Sequence, residues 1–145
     1  MFGTEHLHPM LVHFPIVLIM VGFFADVLSL FFTKKEPCLS KFGFWLMILG
    51  TLAVVAGFLS GEFFTSNFGA ETPQGLLKEK HELWAKITMW IMIFATALRV
   101  YLVIAKKDKS ALKWVVFILF AVAAITVGYT GFMGGSLVFN YMIGI

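Results

Sequence analysis

Residues 113–138 read KWVVFILFAVAAITVGYTGFMGGSLV, and after Lys113 no Lys, Arg, Asp or Glu follows to the end of the chain. A helix needs ~20 apolar residues to cross the hydrocarbon of a bilayer, and this run is long enough. It does not alternate between polar and apolar residues, so it is not a membrane-barrel strand. An open sheet edge would also leave its peptide groups unsatisfied in lipid.

Three more runs of the same kind precede it. The spacing predicts four transmembrane helices at Pro9–Phe32, Phe42–Phe64, Glu82–Ala105 and Lys113–Val138. The fold expected is therefore all-α, an integral membrane four-helix bundle in a single domain spanning residues 1–145. Composition agrees: 60% of the 145 residues are hydrophobic and 13% charged, too few polar groups to cover a water-soluble surface. The first run lacks a basic leader and a small-x-small cleavage site, so it reads as a retained helix, not a signal peptide. The single cysteine, Cys38, excludes an intramolecular disulfide.

Lysine placement predicts orientation. The first connection carries Lys34, Lys35 and Lys41, and the third carries Lys106, Lys107, Lys109 and Lys113. Short cytoplasmic loops collect Lys and Arg, so these two are expected inside, with both termini and the second connection external. In that second connection Lys78 and Lys80 are offset by Glu71, Glu79 and Glu82. Trp45, Tyr101 and Trp114 then fall near the inner interface, and Trp84 and Tyr141 near the outer one.

The chain also reads as a duplicated two-helix hairpin with parallel repeats, N-out and C-out. Gly57-Phe58-Leu59-Ser60-Gly61 resembles Gly131-Phe132-Met133-Gly134-Gly135 at an offset of 74, and His8 and His81 open helices one and three at an offset of 73. Eighteen residues beyond each His stands a charge, Asp26 and Arg99. Eighteen residues are five helical turns, so each His and its charge share a face. A charge at that depth usually faces a partner, and Asp26 and Arg99 are expected to form an interhelical ion pair. The alternative is a proton or substrate path through them. The pairs Gly57/Gly61 and Gly131/Gly135 have the spacing of close-packing motifs.

All four histidines, His6, His8, His13 and His81, fall at the outer end under this orientation. His13 lies ~7.5 Å deeper than His8 by helical rise, and Pro15 is expected to kink the first helix. Imidazole is the commonest metal ligand and an axial ligand of haem. His8, His13 and His81 are therefore the candidate cofactor ligands, for haem b above all. His81 is the first expected iron ligand, with His13 or His8 opposite. Interfacial histidines that only bond headgroups or backbone are the competing reading, and His6 fits it best. Copper or zinc through His6, His8 and His13 is a further alternative, but without a nearby thiolate a structural zinc site is disfavoured. Glu62 is either a hydrogen-bond acceptor for a His ring or a solvated interfacial carboxylate. No Ser-His-Asp ordering, phosphate loop, CxxC or c-type haem attachment motif occurs, so no hydrolase or transferase activity is indicated and no nucleic-acid partner is expected.

Two stretches carry a family resemblance: Leu7-His8-Pro9-Met10-Leu11-Val12-His13-Phe14-Pro15-Ile16, and Gly134-Gly135-Ser136-Leu137-Val138-Phe139 with the ending Gly144-Ile145. Together they resemble the bacterial membrane family called domain of unknown function 2231. The resemblance covers nearly the whole chain and implies a small four-helix protein of the bacterial inner membrane. Relatives carrying fused Rieske-type or cytochrome c-type domains imply a place near electron transfer. His8, His13 and His81 match positions associated with the family. The family's His after the Gly-Gly-x-Leu-Val-aromatic segment is replaced by Asn140 and Tyr141, which puts any site needing that fourth His in doubt. The expected function is membrane electron transfer between a quinone and a periplasmic redox partner. The alternatives are a cofactor-free structural or assembly subunit, as part of a complex or a homo-oligomer, and a small transporter or channel.

Overall fold

The computed structural model describes residues 7–32, 38–64, 71–107 and 111–141. His6, Lys34, Lys35, Lys109 and the Gly144-Ile145 ending lie outside the described residues. Within them a short helix α1 (Leu7–Leu11) leads into α2 (His13–Phe32), followed by α3 (Cys38–Phe64), α4 (Pro73–Ile104) and α5 (Leu112–Tyr141). All four long helices are long and apolar enough to cross a membrane.

The break between α1 and α2 falls at Val12. Pro15 explains it: its nitrogen has no hydrogen for the Leu11 carbonyl, and its ring crowds that same carbonyl. Val12 N–H still donates to His8 O at 3.1 Å, which closes the single turn of α1.

Two helix starts come earlier than hydropathy indicated. α3 begins at Cys38 instead of Phe42, and α4 at Pro73 instead of Glu82. Lys78 and Lys80, read from the sequence as loop residues, therefore belong to the first turns of α4. Thr72 caps that helix in an extended conformation and accepts from Gly75 N–H at 3.1 Å, with Pro73 in the first turn. Lys78 and Glu82 then pair one turn apart at 3.3 Å. At the other end, Lys106 takes a left-handed φ of 55°. Its N–H donates to Val103 O and that of Lys107 to Leu102 O, a Schellman ending.

In the bundle α2 packs on α3 and α4 on α5, while α3 meets α4 and α2 meets α5. Helices α2 and α4 thus lie across a diagonal. Ile19, Met47, Met92 and Phe120, one from each long helix, are fully buried and centre the core. The α2–α3 contact is close because each helix places a glycine, Gly22 and Gly43, where the other packs against it. A Cβ on Gly22 would stand 2.9 Å from Leu46 Cβ, and one on Gly43 would stand 2.9 Å from Asp26 Cγ and 3.2 Å from Gly22 O. Of the expected packing glycines, Gly57 has only ordinary contacts and Gly135 has open space beside it, whereas a Cβ on Gly131 would stand 2.9 Å from Ile16 Cδ1 and one on Gly61 3.1 Å from His8 Cε1.

The two hairpins correspond at a constant offset of 73. Every buried residue of α3 (Gly43, Met47, Gly50, Val54, Gly57, Ser60) has a buried mate 73 residues on in α5. In α2 and α4 the same holds for Pro15 and Thr88, Ile19 and Met92, Gly22 and Ala95. The offset of 74 read from the two Gly-Phe stretches is therefore one residue out. Gly57 is equivalent to Thr130, and Gly61 to Gly134. A one-residue shift turns a helix by about 100°, so only the register of 73 keeps both hairpins facing the same core.

Candidate cofactor site

His8 lies in α1 and His81 in α4, across the diagonal of the bundle. Their rings stand 6.4 Å apart between centroids, with planes at 87°. Both rings are anchored through Nδ1. His81 Nδ1 lies 3.0 Å from the carbonyl oxygen of Thr130. A carbonyl can only accept, so the neutral ring carries its hydrogen on Nδ1. His8 Nδ1 lies 2.8 Å from Ser60 Oγ, and the Ser60 hydroxyl donates to Gly57 O at 2.7 Å. With that hydrogen committed, Ser60 accepts and His8 donates from Nδ1. The network therefore assigns one tautomer to both rings and leaves a lone pair on each Nε2, the state in which histidine ligates metals.

The anchors repeat with the hairpin. Thr130 is the mate of Gly57, whose carbonyl accepts from the Ser60 hydroxyl that holds His8. Gly61 and Gly134 are mates too, and each lies close to a ring: a Cβ on either would be 3.1 Å from Cε1 of His8 or His81 respectively. Burial, and after it the neighbouring His81, lower the His8 pKa below its ordinary value; the backbone of Gly57 opposes them.

A partly open cavity of about 240 Å³ adjoins the two rings. Its floor and walls are apolar, built from residues such as Val54, Phe58 and Val127, while Glu62, Lys78 and Glu82 stand among its polar lining. His13 also lines it and is exposed at the start of α2. The ring that faces His81 is His8. Glu62 is exposed at the rim, and the oxygen that anchors His8 belongs to Ser60 instead. Sequence reading missed Ser60 and Thr130; Ser60 was visible only as a hydroxyl between glycines, one helix away from the histidine.

At the opposite end of the bundle, Arg99 grips Asp26 through two nitrogens, Nη1 to Oδ2 and Nη2 to Oδ1, the second at 2.9 Å. Asp26 is only 6% exposed. Arg99 also donates to Ser40 O at 3.2 Å and stacks over Phe44 at 5.8 Å. Two-point pairing of this kind satisfies the planar fork of the guanidinium. Asp26 and Arg99 are themselves mates at offset 73, so the pair joins equivalent points of the two hairpins. Gly43, which sequence reading also missed, makes room for the carboxylate.

Among the described residues, no group of three or more His, Cys, Asp or Glu side chains is placed to hold a metal ion. The available donors are two imidazole nitrogens, which suits a group that brings its own equatorial ligands. An iron porphyrin supplies four nitrogens and takes two axial histidines. The cavity is smaller than the ~300–1,000 Å³ of enclosed pockets for drug-sized ligands. The cavity is therefore too small to enclose a whole macrocycle.

A model of the family described as predicted membrane protein (DUF2231) matches residues 4–145. No curated protein and no solved structure matches the chain.

Proposed function

The chain belongs to the DUF2231 family of predicted membrane proteins, and from that premise we propose that it is a membrane b-type haem protein acting in electron transfer. His8 and His81 would hold its iron, each through Nε2. The observation that carries this reading is the pairing of two histidines from equivalent points of a duplicated hairpin, both held in the metal-ligating tautomer. Haem bound there supplies one-electron chemistry.

The protein's own residues have three tasks. Ser60 Oγ and Thr130 O hold the rings and keep Nε2 deprotonated. Gly61 and Gly134 leave space beside the rings. Apolar residues around the cavity limit water and so bear on the potential. The lysine-rich end lies in the bacterial cytoplasm by the charge bias of its loops. The histidine end then faces the periplasm, with a quinone in the membrane and a periplasmic redox protein as partners.

Protein purified in detergent from cells supplied with haem tests this reading. A sharp b-type α-band in the reduced-minus-oxidised spectrum is the expected result. A colourless protein would overturn it and leave a cofactor-free subunit of a membrane complex.

A further inference from the structure

Lys78 lines the cavity from the second turn of α4, with its side chain 16% exposed. That side chain is more covered than that of its carboxylate partner Glu82, which is 49% exposed. The other rim carboxylate, Glu62, is exposed as well. Solvent screens both acids more than it screens Lys78. The lining therefore holds one largely covered lysine beside the imidazoles of His8, His13 and His81 and two solvated carboxylates. Lys78 shares this lining with His8 and His81.

We propose that Lys78 is the docking point for a carboxylate on the cavity's ligand, making this a site for an amphipathic acid with an apolar body. This rests on the porphyrin reading and deepens it. Haem has that chemistry, with an apolar macrocycle and two propionates on one edge. The cavity is too small to enclose the whole ring, so one edge lies in the opening, and Lys78 selects the acidic edge. On binding, the ligand's carboxylate shares the ammonium with Glu82 or displaces it into solvent. Glu82 is the competing anion, so removing its charge favours the ligand.

The test compares ferric protoporphyrin IX with its dimethyl ester, which keeps iron and macrocycle but has no free acid. Each is titrated into the detergent-purified protein and followed by the Soret band. The wild type is expected to bind the free acid roughly tenfold more tightly than the ester. Lys78→Gln abolishes that preference, Lys78→Arg keeps it, and Glu82→Gln enlarges it. Equal binding of acid and ester by the wild type overturns the role of Lys78 while leaving the porphyrin site standing, and so does a preference that survives in Lys78→Gln. If the wild type binds neither porphyrin, the site reading fails and this inference with it. The wild-type comparison decides the question even if Lys78→Gln does not fold.

Discussion

His8 and His81 stand 73 residues apart in the chain and 6.4 Å apart between ring centroids. The same offset relates Asp26 to Arg99, which meet near the other end of the same two helices. One repeat operation thus places two unlike pairs: one is neutral and presents lone pairs, while the other is charged and closed on itself.

Ser60 holds His8 through one hydrogen bond. Ser60→Ala removes the acceptor and frees the ring to change tautomer, at a cost of ~1 kcal/mol. We expect weaker haem loading and an altered band shape, with Ser60→Thr restoring both. A spectrum unchanged in Ser60→Ala would contradict a role for Ser60 in holding the ring.

Gly61 and Gly134 each lie where a methyl group would be 3.1 Å from a ring Cε1. Gly61→Ala and Gly134→Ala are expected to push their rings aside and reduce haem affinity. Gly135→Ala is the control, since no atom lies within 4 Å of its Cβ position. Equal effects at all three positions in a Soret titration would contradict the assignment.

The Asp26–Arg99 pair is buried and doubly bonded. Removing one partner leaves an uncompensated charge, so Asp26→Asn or Arg99→Gln should destabilise the bundle by about 3–5 kcal/mol in detergent unfolding. Exchanging the two charges together should recover part of that loss. Recovery is incomplete because Gly43 and the Gly22 carbonyl leave space for a carboxylate, not for an arginine stem. Haem loading at the far end of the bundle should survive wherever the variant folds.

The lowered pKa of His8 predicts a pH dependence for the cofactor-free protein. Above its ordinary value of 6.5 the ring is neutral both folded and unfolded, and the shift has no effect on stability. As pH falls below that value, the unfolded ring takes up a proton before the folded one. Stability is then lost until the folded ring titrates in turn. Melting temperatures from about pH 7 down to about pH 5 should fall, and His8→Gln should flatten the slope.

The four spans were legible because each is a long run with almost no charge, and lipid imposes that pattern directly. Hydropathy lost sight of the chain where the helix leaves the lipid. The stretch Lys78-Glu79-Lys80-His81-Glu82 resembles a loop in composition, yet Thr72 and Pro73 start a helix before it and the Lys78–Glu82 pair supports it. The repeat was visible at His8 and His81 but misaligned in the second helix of each hairpin. The look-alike residues Gly57 and Gly131 are not the equivalent ones. True mates such as Met47 and Phe120, or Gly57 and Thr130, share burial and not identity. Within the site, the histidines stood out as rare residues gathered at one end. Their anchors did not, because a backbone carbonyl has no sequence signature and Ser60 reaches His8 only through the fold.

The most direct measurement is the Soret and reduced α-band of His8→Ala, His81→Ala and His13→Ala beside the wild type, all loaded with haem under the same conditions. The account predicts that His8→Ala and His81→Ala each lose the six-coordinate spectrum while His13→Ala keeps it. A spectrum that survives the loss of either His8 or His81, or that vanishes with His13, would contradict it.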